Sequence, residues 1–100
     1  MQYNFEWNPD KARSNIRKHG VTFEEATKVF NDPMALTIVD EGESSNDEYR
    51  WVTLGQIKGQ HYLVVVHTDH SPNKDTVTIR LISARPATKN EVRQYEQGWW

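Results

Sequence analysis

The chain is 100 residues long, carries a formal net charge of −2 and contains no cysteine. The lack of cysteine excludes a disulfide scaffold, a thiolate zinc site and thiol catalysis. Leu, Ile, Val and Phe total 21 residues, which is enough for one folded domain with a polar exterior. The longest apolar run, residues 63–66, is too short to cross a membrane, and no signal-peptide pattern is present. We therefore expect a cytoplasmic protein without membrane contact.

The charges are unevenly distributed along the chain. Residues 41–48 carry four acidic and no basic side chains, whereas residues 49–100 carry seven basic and four acidic ones. Gly, Ser and Asn accompany the acidic run, so the sequence predicts a solvated loop there. The basic groups on either side of it are the more promising functional candidates.

The N-terminal part of the chain predicts one strand and two helices. Residues 3–7 alternate weakly and suit a short strand. The Asn-Pro pair at residues 8–9 caps a helix that Gly20 ends. Thr22 and Glu25 form a capping box for a second helix, which stops at the following Asp-Pro pair.

The rest of the chain predicts a series of strands and a final helix. The four predicted strands lie at residues 35–39, 49–57, 60–68 and 76–84. Turns are predicted at residues 58–59 and 71–74. Thr88 and Glu91 form a second capping box, which starts a helix running to about residue 96.

This order of elements predicts an α+β domain. A short strand and two helices precede a four-stranded antiparallel meander, and one helix follows it. Helices beside an antiparallel sheet cover one of its faces. Alternation in the last strand turns Arg80 toward the opposite face, which we expect to be open.

The first helix carries a dense set of basic residues. They are Lys11, Arg13, Arg17, Lys18 and His19. Lys11 and Lys18 share one helix face with Asn15, and the two arginines share another. Such a stripe can neutralise phosphates, but a solvated helix face has the same pattern.

Three arginines in or beside the strands form a second candidate group. Arg80 lies between apolar neighbours, where a guanidinium either pairs with a carboxylate or contacts a phosphate from an open sheet face. Arg50 lies near the start of the strand predicted at residues 49–57, and Arg85 lies just past a strand end, where it suits contact with an anion.

Histidines form the third group. His61, His67 and His70 lie close together in sequence, but nothing else completes a convincing set of metal ligands. We therefore predict no metal ligand and no cofactor. His67 is the better acid–base candidate, because imidazole titrates near neutral pH, and the alternative is a hydrogen-bonded structural histidine at a strand end.

Segments along nearly the whole chain resemble the BrnT toxins. The resemblance begins with Phe-Glu-Trp-Asn-Pro-Asp-Lys-Ala at residues 5–12 and continues with Lys-His-Gly-Val-Thr-Phe-Glu-Glu-Ala at residues 18–26. Further matches are Glu-Tyr-Arg-Trp at residues 48–51 and the run containing Ile-Ser-Ala-Arg at residues 80–88. The Lys-His-Gly and Ile-Ser-Ala-Arg segments are specific in combination.

This resemblance implies a toxin of a type II toxin–antitoxin system. Such toxins have a RelE-like fold, which here would be a single domain over residues 1–100, and they act as ribonucleases that inhibit translation. The resemblance further implies neutralisation by a ribbon-helix-helix antitoxin of the BrnA type. The complex of the two would repress its own operon, so that operator DNA is contacted only through the antitoxin complex.

The resemblance also frames a hypothesis for the site. Metal-independent cleavage of RNA needs the 2′-hydroxyl as nucleophile, an acid, a base and cations around the phosphate. The predicted catalytic residues are Arg80 and Arg50 as phosphate clamps, His67 as acid or base, and Lys18 and His19 as second candidates. The predicted RNA-binding residues are Arg85, Lys11 and Arg17. The competing interpretations are a non-catalytic antitoxin-binding co-repressor and a metal-dependent hydrolase that uses the three clustered histidines.

Overall fold

The computed structural model describes residues 2–40 and 49–100. In chain order the elements are β1 (Gln2–Glu6), α1 (Pro9–His19), α2 (Phe23–Ala26), a 3-10 helix (Thr27–Asn31), β2 (Leu36–Val39), β3 (Trp51–Lys58), β4 (His61–Asn73), β5 (Thr76–Pro86) and α3 (Lys89–Gln97). The predicted acidic loop at residues 41–48 lies outside the described residues. Within those described, no helix is both long enough and apolar enough to span a bilayer.

The described strands form one five-stranded sheet in the order β1-β5-β4-β3-β2. Strands β2 to β5 are antiparallel neighbours, which confirms the predicted meander. The N-terminal strand joins the sheet at its far edge, where it runs parallel to β5 with Glu6 opposite Arg80. The α+β class is confirmed. The sheet is mixed, because β1 runs parallel to β5 whereas the other neighbouring strands are antiparallel. Two parallel strands need a long connection, and the helices and the meander between β1 and β5 supply it.

The boundaries of α1 follow from local chemistry. The Asn8 side chain accepts hydrogen bonds from the backbone N–H groups of Asp10 at 2.8 Å and Lys11 at 3.2 Å. Pro9 occupies the first helical position, where a missing N–H costs nothing. Gly20 ends the helix with φ of 70°, a left-handed conformation that glycine adopts without steric strain.

Both predicted capping boxes are present. The Thr22 hydroxyl accepts from the Glu25 N–H, and the Glu25 carboxylate accepts in return from the Thr22 N–H. Thr88 and Glu91 repeat the arrangement at the start of α3. After one α-helical turn the second predicted helix tightens into the 3-10 helix, so it is shorter and less regular than expected.

The helices α1 and α2 and the 3-10 helix cover one face of the sheet. The completely buried helical side chains there are Phe23, Ala26 and Val29, and they belong to one core cluster with Leu63, Val65 and Leu81 of the sheet. Gly55 makes this contact possible, because a Cβ at that position would lie only 3.0 Å from the Cβ of Val29.

The opposite face is open only in part. Pleating turns Leu54 and Val64 to this face, and both are buried. Helix α3 packs here through Tyr95, whose ring centroid lies 5.2 Å from that of Tyr62. Arg80 is exposed, as expected, but the expectation of a fully open face is wrong around α3 because that helix folds back over the middle strands.

Strand β4 is longer than predicted. It continues through Asn73, so most of the turn expected at residues 71–74 lies inside the strand, and the turn itself falls at residues 74–75. Pairing of β4 with β5 shifts register twice, between Val66 and His67 and between His70 and Asn73. These irregularities allow the extension and explain why simple alternation misplaced the turn.

Candidate functional site

A cleft of about 230 Å³ lies between α1 and β5, and we call it the α1–β5 cleft. Its lining residues are Lys11, Ser14, Asn15, Lys18, His19, Ile82 and Ser83. Two lysines and a histidine therefore face one small volume together with two hydroxyl groups. No carboxylate of the described residues lines this cleft. The arrangement suits an anion with hydrogen-bond acceptors, such as a phosphate.

Asn15 fixes the position of α1 beside β5. Its amide nitrogen donates to the backbone oxygens of Ala84 at 2.8 Å and Val21 at 2.9 Å, and its oxygen accepts from the Ala84 N–H at 3.0 Å. The side chain thus bonds to β5 as a neighbouring strand would, beyond the point where β1 ends. Asn15 is only 5% exposed, so these bonds are shielded from water and fix α1 beside β5.

The C-terminal end of α1 supplies most of the positive charge. Arg17, Lys18 and His19 occupy the last helical turn, where the helix dipole favours cations. Lys18 and His19 point into the α1–β5 cleft, whereas Arg17 is exposed and lines no described cleft. Of the two predicted helix faces, the lysine face lines a cleft, whereas the arginine face lines neither of the clefts formed by the described residues.

A second cleft, of about 400 Å³, adjoins the first, and we call it the His19–His61 cleft. Its lining residues are His19, Gly20, Val21, Glu25, Ile57, Gln60, His61, Tyr62, Leu63, Pro86, Ala87 and Val92. His19 lines both clefts and joins them. No pattern in the sequence connects His61 with His19, because the hairpin and the end of α1 meet only in the folded chain.

The predicted phosphate clamps lie elsewhere, on the face of the sheet opposite α1. Thr68 pairs with Arg80, and Arg50 directly precedes Trp51, whose partner His67 directly precedes Thr68. The two arginines therefore lie on either side of β4 near this threonine, about two strand spacings or roughly 10 Å apart. We call Arg50, Thr68 and Arg80 the arginine row. It lies about 20 Å from the start of β4, so it cannot share a single phosphate with His61.

Arg80 is held by a carboxylate. Its Nη1 donates to Glu6 Oε2 at 2.7 Å, across the parallel β1–β5 pair. Both side chains are about half exposed, at 46% and 51%. The structural pairing that the sequence left open is therefore present, in a form that solvent can still reach.

His67 lies inside the core, on the other face from Arg80. Its Nδ1 is 2.8 Å from Asp69 Oδ1, and its Nε2 is 2.7 Å from Thr53 Oγ1. Phe30 packs edge-on against the ring, with centroids 4.9 Å apart, and the histidine is only 2% exposed. This is the arrangement of a hydrogen-bonded structural histidine. The structure does not bring His67 together with either clamp arginine.

Arg85 forms a bidentate ion pair with Glu91. Its Nη1 and Nη2 donate to the two carboxylate oxygens at 2.8 and 2.9 Å. This pairing, aided by the Thr88 N–H, lowers the pKa of Glu91 to about 2, and it also raises the pKa of Arg85. The guanidinium links the end of β5 to the start of α3, and 41% of it stays exposed.

The histidines of β4 do not assemble a metal site. Among residues 2–40 and 49–100, no group of three His, Asp or Glu side chains is placed to hold an ion. Both ring nitrogens of His67 have protein partners, while His61 and His70 lie toward opposite ends of the strand. The described residues thus give no support to the metal-dependent interpretation.

The structure therefore sorts the predicted residues into separate places. Lys11, Lys18 and His19 meet in one cleft, Arg50 and Arg80 share a row, and the remaining candidates stand apart. The class of protein that these features define is a small α+β domain with a cationic, histidine-bearing cleft beside the sheet.

The particular family follows from comparison with known proteins. The model of the family "Ribonuclease toxin, BrnT, of type II toxin-antitoxin system" matches residues 7–91, so the chain belongs to this family. It is a toxin of a type II toxin–antitoxin system, with an antitoxin as its partner and with the ribonuclease activity that defines the family. No curated protein matches the chain.

Among solved structures, the chain is similar to the Brucella abortus ribonuclease toxin, BrnT. The match has a TM-score of 0.62 and 20% sequence identity, and it covers 89% of this chain and 100% of the other. At this identity the likeness concerns the fold. It confirms the α+β architecture inferred from the order of elements.

Proposed function

We propose that this toxin is an endoribonuclease that cleaves RNA without a metal ion, using the ribose 2′-hydroxyl as the nucleophile. One observation carries the proposal. Lys11, Lys18 and His19 converge on one small cleft that no described carboxylate lines. The cleft lies within the residues matched by the ribonuclease toxin family.

Cleavage by the 2′-hydroxyl requires proton transfer and charge stabilisation, which the histidine and the two lysines of the α1–β5 cleft can provide. The 2′-oxygen forms a bond to phosphorus, and the bond from phosphorus to the 5′-oxygen breaks, leaving a 2′,3′-cyclic phosphate and a 5′-hydroxyl. His19 takes the proton from the 2′-hydroxyl or gives one to the departing 5′-oxygen, because imidazole can act as base or acid, and a water molecule makes the other proton transfer. Lys11 and Lys18 stabilise the negative charge that builds on the phosphate.

The arginines bind the RNA backbone away from the reacting phosphate. Arg50 and Arg80 clamp phosphates on the sheet face, and Arg85 and Arg17 contact the strand at the sides. Their support is the exposure of Arg80 and Arg17 and the partial exposure of Arg85. His67 acts as a positioning residue, since its bond to Thr53 ties β4 to β3 beneath the arginine row and its bond to Asp69 fixes the ring within β4.

The partner is a ribbon-helix-helix antitoxin that blocks the toxin in the cytoplasm. The complex of toxin and antitoxin binds operator DNA through the antitoxin and represses its own operon. Family membership supports this assignment, because a type II toxin requires a protein antitoxin.

A cleavage assay on the purified toxin tests the mechanism. The assay incubates single-stranded RNA with the toxin in excess EDTA and identifies the new ends. We expect cleavage to continue with 5′-hydroxyl and cyclic phosphate ends, and we expect a fully 2′-deoxy substrate to stay intact. Loss of activity in EDTA, restored by a divalent ion, would contradict the metal-independent mechanism.

Expression in bacteria with and without the antitoxin separates the ribonuclease from a non-catalytic co-repressor. Growth arrest with RNA degradation, relieved by the antitoxin, is the expected result. Intact RNA from well-folded toxin, together with operator binding by the two-protein complex, would instead support the co-repressor.

A further inference from the structure

The His19–His61 cleft has no task in the mechanism described above. It is formed by the end of α1, the β3–β4 hairpin and the residues around the start of α3. Its volume of about 400 Å³ falls within the range of small-molecule sites, and it opens beside the α1–β5 cleft at their common residue, His19.

The walls of this cleft combine an apolar floor with a polar rim. Val21 and Leu63 are buried at its base, where they offer apolar contact. The rim carries Gln60 and His61, which provide hydrogen-bonding groups and one aromatic ring, and Tyr62, whose own ring packs edge-on against Tyr95. Proteins recognise single-stranded RNA in this way, by stacking an unpaired base on aromatic side chains and hydrogen-bonding its edge.

One carboxylate distinguishes the two clefts. Glu25 lines the His19–His61 cleft, whereas no described carboxylate lines the α1–β5 cleft. Hydrogen bonds from the Thr22 backbone and hydroxyl lower the pKa of Glu25, so the carboxylate is ionised at neutral pH. Both of these bonds go to Oε1, and Oε2 takes no part in them.

A fixed negative charge repels phosphate and accepts hydrogen bonds from N–H donors. Guanine, adenine and cytosine each carry an exocyclic amino group, and uracil carries none. Beside Glu25 the cleft therefore favours an amino-bearing base over a phosphate of the RNA backbone.

We propose that the His19–His61 cleft binds one unstacked RNA base bearing an amino group, next to the phosphate held in the α1–β5 cleft. The inference rests on the proposed ribonuclease function, and it adds a base-reading site to that function. His19, at the junction, then lies between the base and the backbone of the same nucleotide unit.

Nuclear magnetic resonance titrations of the purified toxin locate the two sites. The probes are inorganic phosphate, ribose 5-phosphate, and the monophosphates GMP, AMP, CMP and UMP. We expect phosphate and ribose 5-phosphate to shift the amide signals of Ser14, Lys18 and Ser83 alone. The three amino-bearing nucleotides should also shift Gln60, Tyr62 and Val92, and UMP should bind at least threefold more weakly than they do. Equal binding of all four nucleotides, or identical shifts with ribose 5-phosphate, would overturn the inference.

Glu25→Gln is the sharpest variant, with Glu24→Gln as its matched control. Glutamine can still complete a capping box, so the helix should form, and equal melting temperatures of the two variants check this. Glu24 lies in the same helical turn and lines neither described cleft. We expect Glu25→Gln to abolish the discrimination against UMP and Glu24→Gln to retain it. The same loss in both variants would show that general charge, rather than this cleft, reads the base.

The base cleft and the ribonuclease can fail separately. RNA cleavage by the unmodified toxin without the nucleotide pattern overturns the base cleft and leaves the proposed function standing. The nucleotide pattern in a toxin that cleaves no RNA overturns the proposed function and keeps the cleft as a base-binding site.

Discussion

The α1–β5 cleft and the arginines of the sheet both present positive charge, but they differ in what surrounds that charge. Arg80 and Arg85 each form an ion pair with a glutamate. Lys11 and Lys18 form no ion pair within residues 2–40 and 49–100, and a buried asparagine rather than a carboxylate fixes their cleft. The arginine charges are thus partly neutralised by neighbouring carboxylates, whereas the two lysine charges have no paired carboxylate among the described residues.

The comparison shows that the number of cations in a segment does not indicate how many of them lack a paired carboxylate. Arg13, in the densest basic run of the sequence, is paired with Asp10 one turn earlier in α1. A carboxylate that neutralises a cation also competes with any phosphate that approaches it. The surroundings of each cation therefore separate a candidate reacting site from a general RNA-binding surface.

The largest expected effect comes from removing the shared histidine. His19→Ala should lower the rate of RNA cleavage by roughly 10²- to 10⁴-fold, because proton transfer by a positioned side chain contributes on that order. Arg13→Ala is the control, since its partner is Asp10 and it lines neither cleft. Initial rates on one RNA substrate measure both. A His19 variant with full activity would remove the α1–β5 cleft from the chemistry.

The second-largest effect is on the free energy of unfolding, through Asn15, which fixes α1 beside β5 at the cleft. Asn15→Ala should lower the free energy of unfolding by about 3 kcal/mol, because it leaves the N–H and C=O of Ala84 buried without partners. Urea denaturation measures the change. The exposed Asn31→Ala serves as control and should stay within about 0.5 kcal/mol of the parent. Equal stabilities would mean that α1 holds its place without this side chain.

The Arg85–Glu91 pair predicts a fall in stability in acid. The pKa of Glu91 is lowered in the folded chain from 4.5 to about 2, so its contribution is complete above pH 4.5. That contribution, on the order of 2 kcal/mol, is lost as the pH falls toward about 2. Urea denaturation at several pH values should show a smaller loss in Glu91→Gln. The exposed Glu96→Gln should follow the unmodified chain, and an equal loss in both variants would assign the acid sensitivity to other groups.

The smallest effect concerns the exposed pair of Arg80. Exposed ion pairs contribute between about 0 and 1 kcal/mol, so Glu6→Gln should change stability little. Releasing Arg80 should raise RNA affinity about two- to threefold at low salt, an effect that added salt removes. Fluorescence anisotropy with a labelled, fully 2′-deoxy oligonucleotide measures this, with Glu96→Gln as control. Unchanged affinity would exclude Arg80 from the binding surface.

Local signals in the sequence were sufficient for most of the elements. Asn8, Gly20 and the two capping boxes act within a few residues, so the helix ends they predict are present in the structure. The end of β4 was misplaced because register shifts depend on pairing with β5. The parallel attachment of β1 also escaped prediction, since it depends on residues far apart in sequence.

The site was harder to predict for the same reason. The sequence singled out Lys11, Lys18 and His19, but it did not show that they share a cleft with Ser83 of β5. Nor did it show that Glu6 reaches Arg80 or that His67 lies under Phe30. Each of these contacts joins elements that are distant along the chain, and no periodic pattern records them. The sequence contained one indication of the hydrogen bonds by which Asn15 joins α1 to β5, because Asn15 is an uncharged residue on an otherwise cationic helix face.

The attachment of β1 to β5 also determines how early in synthesis the sheet can be completed. Gln2 pairs with Thr76, so 74 further residues must be added before the first strand finds its neighbour. At a typical elongation rate of about 5–20 residues per second, that takes several seconds. The sheet edge beside which α1 and its lysines dock is therefore among the last parts to assemble. Because the α1–β5 cleft is lined by Ile82 and Ser83 of β5, it cannot be complete in a nascent chain until that strand has left the ribosome.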